Sequence, residues 1–180
     1  LMRILYSLSS DDDRSIKALR LPRRRHARTA FVDYWLAVVD VDHFKCVNDN
    51  FGHLIGDEML LLIATLMKAS FRVHEQLFRF GGEEFVALLK PTEEHNAHAA
   101  FERFRAEVEA FEFPQAGRLT VSIGYVRVKR HSQPSLVLEH ADAALYWAKA
   151  NGRNCVIKYD RAVAAASHAP KETSSEVEYF

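Results

Sequence analysis

The chain has 180 residues, 48% of them hydrophobic and 11% aromatic. That is one domain's length with ends to spare, and too apolar for a disordered chain. Twenty-four Lys and Arg balance twenty-four Asp and Glu, which argues against a protein that coats nucleic acid. The most apolar stretch, Met59–Met67, falls far short of the ~20 residues a membrane span needs. The start, LMRILYSLSSDDD, turns acidic too soon for a signal peptide. Cys46 and Cys155 stand alone, without C-x-x-C spacing. A disulfide scaffold and a Cys-rich zinc site are therefore excluded, and reduced thiols in a cytoplasmic chain are expected.

Residues 1–30 are expected to be an irregular lead-in or linker. Asp11, Asp12 and Asp13 precede the basic run Arg20, Arg23, Arg24, Arg25 and Arg28. The run reads as a solvated segment, with a phosphate-binding patch as the alternative. Trp35 to Asp42 reads as a buried strand ending in acids, Asp40 and Asp42. A loop from His43 to Ile55 follows. Gly56 opens a helix to about Ser70, with Asp57 and Glu58 suiting its positive end. Leu77–Phe80 and Phe85–Leu89 are two strands, and Gly81-Gly82 supplies the tight turn between them. Glu93–Phe111 is an amphipathic helix with Ala97, Phe101, Phe104 and Val108 on one stripe. A strand over Leu119–Val128, a helix over Ser135–Ala150 capped by Ser135, and a strand over Asn154–Tyr159 complete the core. Residues 161–180 read as a flexible tail, with at most a turn of helix at its start. The order predicts an α+β fold with a mainly antiparallel sheet covered by helices.

The chemistry gathers at acids. Asp40 and Asp42 leave one side of a strand, and Glu83 and Glu84 sit on a hairpin tip. If the hairpin lies beside that strand, the carboxylates meet at one sheet edge and require cations. Hard oxygen ligands favour Mg²⁺ or Mn²⁺. No Gly-Lys dipeptide and no G-x-G-x-x-G occurs, so phosphates must be held by loop amides with Lys45, Lys149 or Arg153.

Four stretches together resemble one family. Gly81-Gly82-Glu83-Glu84-Phe85 is similar to the signature of GGDEF domains, the diguanylate cyclases. Asp40–Leu60 (DVDHFKCVNDNFGHLIGDEML), Leu119–Val126 (LTVSIGYV) and His140–Val156 (HADAALYWAKANGRNCV) resemble the family's other motifs, in order. The resemblance spans Trp35 to Tyr159, and the domain is placed at 31–160. It implies a palm-like fold shared with nucleotidyl cyclases and polymerases. It also implies a reaction in which two GTP molecules become cyclic di-GMP and two pyrophosphates are released. Each domain would hold one GTP, so a homodimer is required.

By the same resemblance, Asp40, Glu83, Glu84 and the Val41 carbonyl would hold metal, two ions per site. Asp40, Glu83 and Glu84 form the catalytic set, with Glu83 activating the 3′-hydroxyl. Asn48 and Asp57 would read guanine, and His53 would line the pocket. His43, Phe44 and Lys45 would meet the β- and γ-phosphates, and Lys149 and Arg153 the terminal ones. The family's product-inhibition pattern R-x-x-D stands here as Arg72-Val73-His74-Glu75, so a degenerate inhibitory site is expected. The lead-in keeps Leu21-Pro22 and paired arginines but lacks the family's Thr, Gly and Asn there. The Leu-Met start fits an output domain driven by an upstream sensor, the expected cytoplasmic part of a larger protein that is either soluble or membrane-bound. The alternative function is a catalytically weak GGDEF domain that binds GTP or cyclic di-GMP as a regulatory module. A purely structural dimerisation domain leaves Asn48, Asp57, Lys149 and Arg153 unexplained.

Overall fold

A computed structural model describes residues 33–129 and 132–167. The basic run at Arg20–Arg28, the rest of the lead-in, and the tail beyond 167 lie outside the described residues. Strand β1 (Asp33–Val41) is the centre of a five-stranded sheet. Helices α1 (Phe44–Phe51) and α2 (His53–Ser70) follow it, then the hairpin β2 (Gln76–Gly81) and β3 (Glu84–Thr92). Helix α3 (Glu94–Ala110), the short pair β4 (Glu112–Phe113) and β5 (Gly117–Arg118), and strand β6 (Val121–Val128) come next. Helix α4 (Pro134–Ala150), strand β7 (Val156–Lys158) and helix α5 (Arg161–Ser167) close the order. The sheet runs β2-β3-β1-β6-β7. Only the β6–β7 pairing is parallel, so the α+β expectation holds, with the hairpin beside the first strand. Among the described residues no helix is long and apolar enough to cross a membrane.

The period of two along β1 divides the core. Trp35, Ala37, Val39 and Val41 face α2 and α3, where they join Ile63, Met67, Phe101 and Phe104. Leu36 and Val38 face α4, against Val137, Ala141 and Leu145. Asp40 continues this second face, so it points toward α4. That helix lies almost on the strands: a Cβ on Gly124 of β6 would stand 2.1 Å from the Leu145 nitrogen and 2.3 Å from the Ala141 carbonyl. The approach is backbone against sheet, and only glycine permits it.

Several boundaries depart from expectation. The predicted loop from His43 to Ile55 is mostly helix α1, whose Phe44 and Val47 are buried. Asn48-Asp49-Asn50 concealed it, since all three are weak helix formers. Gly52, at φ +81°, breaks the chain between α1 and α2, so α2 starts at His53 rather than Gly56. Gly117–Arg118 turns back on Glu112–Phe113, and β6 begins only at Val121. Ser135 is not the cap of α4: Gln133 holds that position and Pro134 opens the helix, where its missing N–H costs nothing. The expected tail carries a true helix, α5. Asp160 Oδ1 accepts from the amides of Ala162 and Val163 at 2.8 and 3.1 Å, a cap the sequence reading had not used. Tyr125 of β6 is buried, whereas Tyr146 of α4 is exposed.

Candidate active site

The site forms where β1 ends. Asp40 is opposite Glu84 across β1–β3 and opposite Ser122 across β1–β6. The Val41 amide donates to the Glu83 carbonyl at 3.4 Å, stitching the Gly81-Gly82-Glu83-Glu84 turn to β1. Gly82 takes φ +46° in that turn, a conformation glycine enters freely. Asp40 is buried, and its Oδ2 accepts from Lys149 Nζ at 2.8 Å. Lys149 reaches it from the last turn of α4.

The electrostatics fit a site that needs positive charge. Burial, aided by the nearby Asp42 charge, holds the Asp40 carboxyl above its ordinary range, although Lys149 and Arg153 pull the other way. Burial also raises Glu83, and the charges of Asp40 and Glu84 add to it. Among the described residues no group of three or more His, Cys, Asp or Glu side chains is gathered to hold a metal ion. The oxygens at hand are the carboxylates of Asp40, Glu83 and Glu84 and the main-chain carbonyl of Val41, a wholly hard set, and the Lys149 ammonium already neutralises one of them.

Asp42 does not join this cluster. Its oxygens accept from Thr120 Oγ1 at 2.7 Å, Ser122 Oγ at 2.6 Å and the Asn154 amide at 3.1 Å. It is a buried fastening between β1, β6 and the turn after α4. That turn runs through three positive φ values, Gly152 at 104°, Arg153 at 61° and Asn154 at 46°. Asn154 holds it: its side chain accepts from Arg105 at 2.7 Å and donates to Glu109 at 2.8 Å. The strained turn presents Arg153, which is exposed, with its charge felt at Asp40.

Phe44 and Lys45 lie in the first turn of α1, after His43 in a left-handed conformation at φ 56°. Their amides therefore belong to a helix start rather than a loop, a better setting for phosphate oxygens. Asn48 of α1 lies over Gly56 of α2: a Cβ there would stand 2.1 Å from Asn48 Oδ1 and 3.2 Å from Phe44 Cζ. Gly56 is thus a residue the sequence reading used only to start a helix, whereas it seats Asn48. His53 and Asp57 are exposed on α2. Asp57 Oδ1 lies 3.8 Å from Arg79 Nη2, and Arg79 was not singled out from sequence at all.

Arg72 and Glu75 are away from this edge, in the turn between α2 and β2, where the Glu75 amide donates to the Arg72 carbonyl at 2.9 Å. Glu75 Oε2 accepts from the Lys90 amide of β3 at 2.6 Å, and its other oxygen lies 3.8 Å from His74 Nε2. A cavity of about 240 Å³ opens beside them, lined also by Lys90, Asn96 and Arg103.

A sheet of this order, with paired acids on a Gly-Gly turn beside the end of its central strand, defines the class, and the comparisons agree. The sequence matches the family model described as "Diguanylate cyclase, GGDEF domain" over residues 17–155, and the chain belongs to that family. It is 42% identical over 125 residues to diguanylate cyclase DgcP of Pseudomonas aeruginosa, covering 68% of this chain and 19% of that protein. The chain thus spans about a fifth of that relative's length. Two solved structures share the fold at a TM-score of 0.67 each. The GGDEF domain of DgcB from Caulobacter crescentus, solved with c-di-GMP, is 33% identical, covering 71% of this chain and 78% of that one. The active GGEEF domain of a diguanylate cyclase from Vibrio cholerae is 30% identical, covering 72% and 85%.

Proposed function

We propose that this domain is a diguanylate cyclase, joining two GTP molecules into cyclic di-GMP with release of two pyrophosphates, and acting as a homodimer in the cytoplasm. The observation that carries the reading is the meeting of Asp40, the Glu83 turn and the Lys149 ammonium at one sheet edge. Asp40, Glu83, Glu84 and the Val41 carbonyl would hold Mg²⁺ or Mn²⁺, two ions per site; all are hard oxygens, and the carboxylates repel one another unless cations intervene. When bound, the metal supplies positive charge against the phosphates and lowers the pKa of the attacking hydroxyl.

The chain's own groups do the rest. Asn48 and Asp57 read the base: a carboxylate accepts from both N1–H and N2–H of guanine, donors that adenine's edge lacks. His53 lines the same pocket. The amides at the start of α1, with Lys45, orient the β- and γ-phosphates. Lys149, released from Asp40, and Arg153 on its strained turn hold the terminal phosphates. Glu83 takes the proton of the 3′-hydroxyl as general base. One site binds one GTP, so attack on the other molecule's α-phosphate requires two domains face to face. Control by an attached sensor belongs to the same reading. Product inhibition at Arg72 and Glu75 is weak in it, because the Glu75 carboxylate is already engaged by the Lys90 amide.

The test is GTP and Mg²⁺ with the purified protein over a range of concentrations, cyclic di-GMP being followed by chromatography. Product rising faster than linearly with protein is expected. No product at any concentration, beside measurable binding of GTP or cyclic di-GMP, would overturn the cyclase in favour of the regulatory binding module.

A further inference from the structure

Arg79 stands on β2, just before the Gly-Gly turn. Its Nε and Nη2 both donate to the Gly82 carbonyl, at 3.0 and 2.8 Å. The same Nη2 lies 3.8 Å from Asp57 Oδ1 on α2. One guanidinium therefore binds the turn that carries Glu83 and lies within ion-pair distance of the carboxylate proposed to read the base. The pairing of β2 with β3 slips between Arg79 and Gly81, so regular ladder bonds do not define the turn there. The fork spans the gap with two bonds to one carbonyl and a third donor direction toward Asp57, a geometry that lysine's point charge does not reproduce.

Stability does not account for the contact. The two side chains are 47% and 68% exposed, and such a pair adds little in water. It gains strength when a base covers it and excludes water. We propose that Arg79 is a positioning residue that couples base recognition to the placement of Glu83, and so helps to set the preference for a 2-amino-6-oxopurine. A base that donates through N1–H and N2–H keeps the Asp57 carboxylate aimed beside the fork, and the fork in turn holds the Gly82 carbonyl. A base without the 2-amino group engages Asp57 through one donor and leaves the coupling weaker. The inference rests on the proposed base-reading role of Asp57.

The experiment separates binding from turnover. Affinities for GTP and ITP are measured by calorimetry with Ca²⁺ as counter-ion, and kcat and KM with Mg²⁺. In the unaltered protein GTP is expected to bind about tenfold more tightly than ITP, the worth of one hydrogen bond to a charged group. Arg79→Met is expected to bring that ratio to within about twofold and to lower kcat for both nucleotides. Arg79→Lys, which keeps the charge, is expected to restore part of the base preference and little of kcat. In an Asp57→Ala background, Arg79→Met is expected to leave the ratio unchanged, because the two act through one contact. An Arg79→Met protein that loses kcat but keeps the full GTP preference would overturn the coupling and leave Arg79 a brace of the turn alone. An additive double variant would overturn it equally. An Asp57→Ala protein that still prefers GTP tenfold would refute the base-reading role itself, a result distinct from either.

Discussion

Gly56→Ala separates binding from folding more cleanly than any substitution of a charged residue. Alanine in place of glycine inside a helix ordinarily stabilises by about 1 kcal/mol. Here the new methyl would stand 2.1 Å from Asn48 Oδ1, whereas apolar contact begins at about 3.5 Å, so the oxygen must retreat by more than about 1 Å. It is the free end of a side chain and can swing away, and Phe44 Cζ, at 3.2 Å, is the rim of a ring that yields slightly. Helix propensity and crowding then nearly cancel, and the melting temperature should shift by no more than about 4 °C. Asn48, however, leaves the position from which, on the proposed function, it would meet the base. Losing its hydrogen bonds costs about 1–3 kcal/mol, which is roughly a 5- to 150-fold weaker Kd for GTP. Calorimetry on Gly56→Ala, Asn48→Ala and the double variant reads this directly, with all three expected to bind alike. A Gly56→Ala protein that binds GTP as tightly as the parent would refute the argument that this glycine exists to seat Asn48.

The remaining expectations concern the acids. Glu83→Gln should abolish product yet raise the melting temperature of the metal-free protein. A carboxyl held above its ordinary 4.5 binds protons more tightly folded than unfolded, so its penalty on the fold appears as pH rises through that window and is absent in acid. Melting curves across mildly acidic pH check this, and a Glu83→Gln protein that is less stable than the parent at neutral pH would contradict it. Asp42→Ala should destabilise by about 3 kcal/mol in urea titration, since it leaves two hydroxyls and an amide without their acceptor around a buried position; a loss below about 1 kcal/mol would show that those contacts are idle. Arg72→Ala should change inhibition by cyclic di-GMP little, while Glu75→Ala should lower stability by about 1 kcal/mol through the Lys90 amide. Strong relief of inhibition in Arg72→Ala would instead reveal a working inhibitory site.

What could be read from sequence was whatever rests on local pattern. The run from Trp35 to Val39 announces a buried strand, Gly81-Gly82 announces a hairpin, and the stripe from Ala97 to Val108 announces a helix. Helix α1 is hidden because its buried residues, Phe44 and Val47, are followed by Asn48-Asp49-Asn50, which normally favour turns. At the site, residue types were legible and their partners were not. Asp42 looks like any acid at a strand end until Thr120 and Ser122 arrive from far along the chain. Glu75 resembles a ligand-binding carboxylate until the Lys90 amide occupies it. Gly56 and Arg79 act through approaches between elements, to Asn48 in one case and to Gly82 and Asp57 in the other, and neither approach leaves a periodic trace.

The glycine that lets α4 lie on β6 makes the two sides of the site unequal in stiffness. Lys149 issues from a helix whose backbone is set against the central strands, and Arg153 from the turn that ends it, so on the proposed function the phosphate grip is anchored like the fixed jaw of a vice. Glu83 rides instead on a hairpin whose outer strand, β2, is the border of the sheet. Amide exchange should accordingly be slowest in β6 and α4 and faster in β2. A force or a neighbour acting on that border can shift the movable jaw, and with it the rate, while the buried layers remain as they are.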